Sequence, residues 1–225
     1  MLTTPDTWVH LVMSRSQEKF QAVLFDLDGV LIDSYDAWFH QFQQTLRYFG
    51  YGAVSEEEFR RHWGQSTEDD IRLFMPGMTL DAIRQYFYDH YDAYVKYLRL
   101  EANAVEVLGT VREYGLRVGC VTNSHRDIVV KTLKHFSMES CFDTIITADD
   151  VRMPKPQPEM IIMACHALAV LPRNTVFVGD TETDLKAAAG AGCVFVGYRI
   201  DAETRIDNLL ELLSWFRKLV SKSIV

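Results

Sequence analysis

The sequence predicts an α/β fold: a Rossmann-like core built on a parallel sheet, interrupted by an inserted α-helical cap. Three observations predict it. Short apolar runs without polar alternation recur along the chain, as strands buried on both faces require. Helix-period segments separate the later runs, which implies right-handed crossovers and a sheet covered on both sides. About 90 residues intervene between the first run and the second, where a single crossover helix needs about a dozen.

The apolar runs are 22–25, 116–121, 175–178 and 193–196, with a weaker one at 144–147. Helical segments are expected at 104–114, 128–136, 159–170 and 185–191, and a final amphipathic helix at 207–218. Between the first two strands the chain reads as helices 35–48, 55–63, 67–74 and 80–98. The last carries Leu80, Ile83, Phe87, Tyr91, Tyr94 and Leu98 as one apolar stripe, the pattern of a helix packed in a small bundle. The expected division is an N-terminal extension over 1–20, with an accessory helix as its plainest structure, a core of 21–33 and 101–225, and a helical cap over 34–100.

With 225 residues and 48% hydrophobic content, the chain can bury a substantial core. A formal net charge of −8 supplies no excess of cations to neutralise a nucleic-acid backbone, so no nucleic-acid partner is expected. The four cysteines lie far apart, without a Cys-x-x-Cys pair, and are expected to be reduced, buried and structural. No run of 18 apolar residues and no signal-peptide pattern occurs, so the reading is a cytoplasmic protein without a membrane partner, a monomer or small homo-oligomer.

In an open parallel sheet, ligands bind at the carboxyl ends of the strands. Those ends are strongly polar here. The first run leads into Asp26-Leu27-Asp28-Gly29, the second into Thr122-Asn123-Ser124, and the 175–178 run into Gly179-Asp180-Thr181-Glu182-Thr183-Asp184. Lys155 sits between Pro154 and Pro156 in the loop after the weaker strand. Gathering Asp26, Asp28, Asp180 and Asp184 around one crevice costs several kcal/mol unless a cation offsets the charge. All-oxygen ligands with room for water suit Mg2+. Thr122 offers a hydroxyl and an amide and Lys155 a positive charge, groups suited to phosphoryl oxygens. A carboxylate beside a bound phosphate can attack phosphorus and form an aspartyl phosphate. Asp26, first after the strand, takes that role, and Asp28 is placed to exchange a proton with the leaving oxygen. Gly29 permits the tight turn that follows.

The stretch from Phe25 through Ser34 (Phe-Asp-Leu-Asp-Gly-Val-Leu-Ile-Asp-Ser) resembles the first motif of the haloacid dehalogenase (HAD) superfamily. The likeness continues in order through Thr122-Asn123-Ser124, Lys155-Pro156 and Gly179 to Asp184, and so spans residues 21–197. The resemblance implies a nucleophile at Asp26, an acid/base with a backbone metal contact at Asp28, phosphate binding at Thr122, Asn123 and Lys155, a direct Mg2+ ligand at Asp180, and an orienter of metal-bound water at Asp184. Asp26 and Asp28 enter the implied metal site with Asp180. The insertion resembles the helical cap of the phosphoglycolate phosphatase and β-phosphoglucomutase group. The implied activity is Mg2+-dependent hydrolysis of a small phosphorylated metabolite, with phosphoglycolate the first candidate and a phosphomutase or pyrophosphatase as alternatives. A non-catalytic phosphoacceptor also uses acids, a hydroxyl and a lysine on a parallel sheet, but needs neither the second aspartate nor so large an insertion.

Several of these residues have a plainer reading. Asp180 is able to cap the helix on which Asp184 sits, and Asp33 and Ser34 to cap the first inserted helix. In Trp63-Gly64-Gln65-Ser66-Thr67-Glu68-Asp69-Asp70 a glycine turn brings Gln65 and Ser66 toward the crevice as possible readers of the leaving group. Ser66 followed by Asp69 also forms an N-terminal capping arrangement, the plainer of the two readings. Arg60, Arg61, His62 and Arg72 are expected on a solvated face, though a second anionic group would also suit them. Asp149 and Asp150 either border the crevice or lie on a surface loop.

Overall fold

The computed structural model describes residues 20–222. The extension expected over 1–20 lies outside the described residues except for Phe20, which is buried and packs on Trp215 and Phe216. Strand β1 (Ala22–Phe25) lies inside a six-stranded parallel sheet. Its companions are β4 (Arg117–Val121), β5 (Thr144–Ile146), β6 (Thr175–Gly179), β7 (Val194–Tyr198) and β8 (Arg205–Ile206), in the order β5-β4-β1-β6-β7-β8. Every residue of β1 is buried. Val23 and Phe25 enter one hydrophobic cluster, while Ala22 and Leu24 enter another on the opposite face. Two-sided burial is why the strand shows no polar alternation.

Helices α5 (Ala104–Glu113), α6 (Arg126–His135) and α9 (Leu210–Lys222) contribute to the first cluster, and α7 (Glu159–Ala167) and α8 (Glu182–Ala191) to the second. The expected α/β architecture is therefore present, with α7 shorter than its periodicity suggested because the chain leaves the helix at Leu168. Cys120 and Cys165 are buried, whereas Cys141 and Cys193 are half-buried, and all four are free thiols. Among the described residues no helix is long and apolar enough to cross a membrane.

The chain leaves and re-enters the core through a two-stranded antiparallel ribbon, β2 (Ile32–Asp33) with β3 (Arg99–Leu100), and Glu101 N–H donates to Leu31 O at 2.9 Å. Two-residue strands are too short to leave a periodic trace in sequence. Beyond the ribbon lie α1 (Tyr35–Tyr48), α2 (Glu56–Arg61), α3 (Thr67–Phe74) and α4 (Leu80–His90) around a third cluster that includes Phe42, Phe59, Ile83 and Phe87. The helix expected over 80–98 stops at His90 and continues as two 3-10 turns, Tyr91–Ala93 and Val95–Tyr97. The apolar stripe serves two cores: Ile83 and Phe87 stay in the insertion, whereas Tyr91 and Leu98 join the sheet-side cluster. The Tyr91 hydroxyl pairs with Thr132 on α6, and reaching that partner turns the chain away from a straight helix. Trp38 packs on both clusters.

Candidate active site

Strand β1 pairs with β4 on one side and β6 on the other, so the crossovers leave in opposite directions and a crevice opens beyond the carboxyl ends of these strands. Asp26 N–H donates to Val178 O at 2.9 Å, and Thr122 N–H to Ile146 O at 3.0 Å, which fixes both loops as continuations of the sheet. The chain then turns tightly: Ile32 N–H reaches Leu27 O at 2.9 Å, and Gly29 N–H reaches Ile32 O at 2.8 Å. Gly29 adopts φ +83°, and a Cβ there would lie 2.1 Å from Asp180 Oδ2. Only glycine allows both the turn and the approach of that carboxylate.

Asp26, Asp180 and Asp184 each bring a carboxylate oxygen within 4.8 Å of the other two. Lys155, 2% exposed at its side chain, places Nζ 2.7 Å from Asp184 Oδ1 and 2.9 Å from Asp26 Oδ1, and donates to Val121 O at 3.1 Å. Burial alone would lower the lysine's pKa, but Asp184 and Asp26 hold it well above its ordinary value. Burial raises Asp26 well above the usual carboxylate range, against the pull of Lys155, and the other acids add to the rise. Burial likewise lifts Asp180 to about 7, reinforced by Asp184. Asp184 Oδ2 accepts from Thr181 Oγ1 at 2.6 Å and Thr181 N–H at 3.1 Å. Thr181, not Asp180, is thus the N-cap of α8, with Asp184 completing a capping box.

That leaves Asp180 for the crevice. Its Oδ2 accepts from Trp63 Nε1 of the insertion at 3.2 Å, while Oδ1 is buried without a partner. Three carboxylates against one ammonium, an orphaned oxygen and an all-oxygen donor set fit a hard divalent cation. Asp26, Asp180 and Asp184 are the side chains grouped closely enough to hold it, so Asp184, expected to orient metal-bound water, joins the group, while the side chain of Asp28, expected in the metal site, does not.

Asp28 forms a separate group. Its Oδ1 accepts from Ser34 Oγ at 2.6 Å and Trp38 Nε1 at 3.0 Å, and its Oδ2 from Ser124 Oγ at 2.7 Å and Thr122 Oγ1 at 3.4 Å. Ser34 precedes α1 but makes no side-chain cap, because its hydroxyl is turned to Asp28 instead; Asp33 lies in β2. Asn123 is engaged in holding the lysine loop: Nδ2 donates to Lys155 O at 2.9 Å and Gly64 O at 3.1 Å, and Oδ1 accepts from Lys155 N–H at 3.0 Å.

A cavity of about 80 Å3 lies over these groups; one water needs roughly 10–15 Å3 on this measure, so the space fits a small substrate. Asp26, Asp28, Thr122, Asn123 and Ser124 line it from the core, and Trp38, Trp63, Gln65 and Asp70 are among its lining on the insertion side. Gln65 Nε2 donates to Asp70 Oδ1 at 2.5 Å, and burial raises Asp70 to about 7. Ser66 lies outside that lining and is the N-cap of α3, accepting from Asp69 N–H at 3.2 Å. Arg60, Arg61 and Arg72 pair with Glu56, Glu57, Glu58 and Asp69 on exposed helical faces, whereas His62, expected there too, is half-buried and lines the cavity. His125 lines the cavity, and its Nδ1 lies 2.9 Å from Asp149, which also meets Arg84 of α4 at 2.9 Å. Asp150 closes a capping box with Thr147.

Sequence reasoning marked the 63–70 stretch but chose Gln65 and Ser66 within it rather than Trp63 or Asp70, and it did not name Trp38 or His125. No local pattern marks an indole as a donor to a distant carboxylate, and only the folded chain turns each indole N–H to one. Asp70 follows Asp69 on α3 and could have been found from the helical repeat, which turns the two residues to different faces.

A family model for haloacid dehalogenase-like hydrolases matches residues 23–198. Pyrophosphatase PpaX of Bacillus pumilus is 31% identical over 182 residues, covering 81% of this chain and 84% of that protein. A HAD-superfamily hydrolase of subfamily IA, variant 1, from Geobacter sulfurreducens superposes with a TM-score of 0.71 at 28% identity, covering 87% of this chain and 99% of that one. A structure described as a putative phosphoglycolate phosphatase from Lactobacillus plantarum gives a TM-score of 0.77 at 22% identity over 87% and 99% of the two chains, a likeness of fold.

Proposed function

The chain belongs to the haloacid dehalogenase-like hydrolase family, and from that premise we propose that it is a Mg2+-dependent phosphatase acting on a small phosphomonoester through phosphorylation of Asp26. The observation that carries this reading is the Asp26 carboxylate itself: 5% exposed, on the cavity lining, with Lys155 2.9 Å away and Asp180 and Asp184 beside it. Leu27 N–H and Lys155 Nζ both bond Oδ1, which fixes the carboxylate and leaves Oδ2 as the attacking atom. When bound by Asp26, Asp180 and Asp184, Mg2+ supplies positive charge against the developing charge of the transferring phosphoryl group.

Attack by Asp26 on phosphorus forms one P–O bond as the bond to the leaving oxygen breaks. Asp28 gives that oxygen a proton, exchanging one of its present donors for it. Water then attacks the phosphorus of the aspartyl phosphate, Asp28 takes its proton, and inorganic phosphate leaves with Asp26 restored. Thr122 and Ser124 hold Asp28 in reach, and Asn123 keeps the Lys155 loop against the site. The inserted helices, acting as a cap, exclude bulk water.

Sustained, Mg2+-dependent release of p-nitrophenol from p-nitrophenyl phosphate, abolished by EDTA and by Asp26→Ala, is the expected result. A single stoichiometric phosphorylation without turnover would replace the enzyme with a phosphoacceptor. A second reading, hydrolysis of pyrophosphate, is favoured by the likeness to the Bacillus pumilus pyrophosphatase, and pyrophosphate belongs beside phosphoglycolate in the first substrate series.

A further inference from the structure

The cavity has a charge pattern that bears on which ester it accepts. Among the described residues lining it there is no lysine or arginine. The basic groups nearby already face carboxylates: Lys155 meets Asp26 and Asp184, Arg84 meets Asp149, and the His62 ring, on the lining, lies 3.2 Å from Glu58. On the insertion side the lining instead carries one carboxyl group, Asp70, tied to Gln65. An ionised carboxylate only accepts hydrogen bonds.

His125 adds a second buried polar atom on the lining that lacks a partner. Its side chain is 5% exposed, and Nε2 is buried without a partner. Asp149 is held below the usual carboxylate range: burial would raise it, but the Arg126 amide and His125 outweigh that effect. Asp149 is therefore ionised and takes the Nδ1 hydrogen. A hydroxyl both donates and accepts, so it satisfies the Asp70 carboxylate and pairs with His125 Nε2 in either state of the ring. A carboxylate or second phosphate brings only acceptors and meets like charge.

We propose that this site selects phosphate esters of uncharged, hydroxyl-bearing alcohols, and that Asp70 is the specificity residue that turns away leaving groups carrying a second negative charge. The proposal rests on the phosphatase reading and names its substrate class. Burial lifts Asp70 to about 7, so its carboxylate is ionised and repels a second anion above that pH, and the substrate panel is run at pH 8.

The test is a set of kcat/KM values with Mg2+ for p-nitrophenyl phosphate, for neutral-alcohol esters such as glycerol 1-phosphate and ribose 5-phosphate, and for phosphoglycolate, 3-phosphoglycerate and pyrophosphate. Wild type is expected to favour the neutral-alcohol esters by about ten-fold or more over the anionic set. Asp70→Asn should shift that ratio about ten-fold toward the anionic set. Glu68→Gln, on the same helix but exposed and outside the cavity lining, should leave the ratio where it was. Wild-type preference for the anionic set, or an unchanged ratio in Asp70→Asn, overturns the proposal while turnover of p-nitrophenyl phosphate keeps the phosphatase reading intact. Absence of all Mg2+-dependent turnover overturns both. The wild-type panel decides even if the variant fails to fold.

Discussion

Lys155 Nζ lies 2.7 Å from Asp184 Oδ1, with side chains 2% and 0% exposed. The same ammonium reaches Asp26, so one buried cation ties the proposed nucleophile to the helix that follows β6. Lys155→Met keeps most of the stem volume but leaves two buried carboxylates without their counter-charge. A loss of about 3–5 kcal/mol in unfolding free energy is expected, read by urea denaturation. An unchanged midpoint would mean that the pair contributes nothing to the fold.

Metal and pH act on the same cluster. The folded pKa values of Asp26 and Asp180 are raised, the latter to about 7 from 3.8. A raised carboxyl group binds its proton in the folded state while the unfolded chain has released it, so metal-free stability falls as pH climbs from about 4 to about 7. Above that window Asp180 is ionised and a divalent cation has more negative charge to offset. Mg2+ should therefore raise the melting temperature more at pH 8 than at pH 5, by the equivalent of about 2 kcal/mol. Equal shifts at the two pH values would count against these acids as ligands.

Asp28→Asn removes the proposed proton donor and retains the acceptor oxygen toward Ser124 or Ser34. Hydrolysis of sugar or glycerol phosphates should fall by about 10²-fold or more, while p-nitrophenyl phosphate, whose leaving group needs no proton, falls far less. Equal losses on both substrates would remove Asp28 from acid catalysis.

Gly29→Ala tests the cradle around Asp180. Positive φ costs an alanine about 1–2 kcal/mol, and its Cβ would overlap Asp180 Oδ2. Loss of most of the Mg2+-induced thermal shift is the expected outcome. A variant that keeps the shift would show that the carboxylate moves aside without consequence.

Ser66→Ala separates capping from recognition. With Ser66 at the start of α3, the substitution should lower stability by about 1 kcal/mol and leave the order of substrate preference intact. A changed order would give Ser66 the specificity role instead.

Much of this was legible in the chain. The runs 22–25, 116–121 and 175–178 are apolar because both faces of their strands are covered, and the loops after them carry the acids and hydroxyls because that is where a parallel sheet opens to ligands. Helix 80–98 was misread for an instructive reason: periodicity records that Ile83, Phe87, Tyr91 and Leu98 are buried, not that they enter two different clusters. Ser34 was expected to cap α1 and bonds Asp28 instead, a choice made by a carboxylate only six positions earlier but across a tight turn.

The sequence by itself determined which residue types stand at the strand ends, since local burial and turn geometry are written in neighbouring residues. Only the tertiary structure decided their partners: Asp184 beside Asp26 and Lys155, Trp63 on Asp180, Asp28 among Ser34, Trp38 and Ser124. The reason is physical. Parallel register brings residue 26 next to loops roughly a hundred or more positions away, and which donor then meets which carboxylate depends on packing distances that no local pattern encodes.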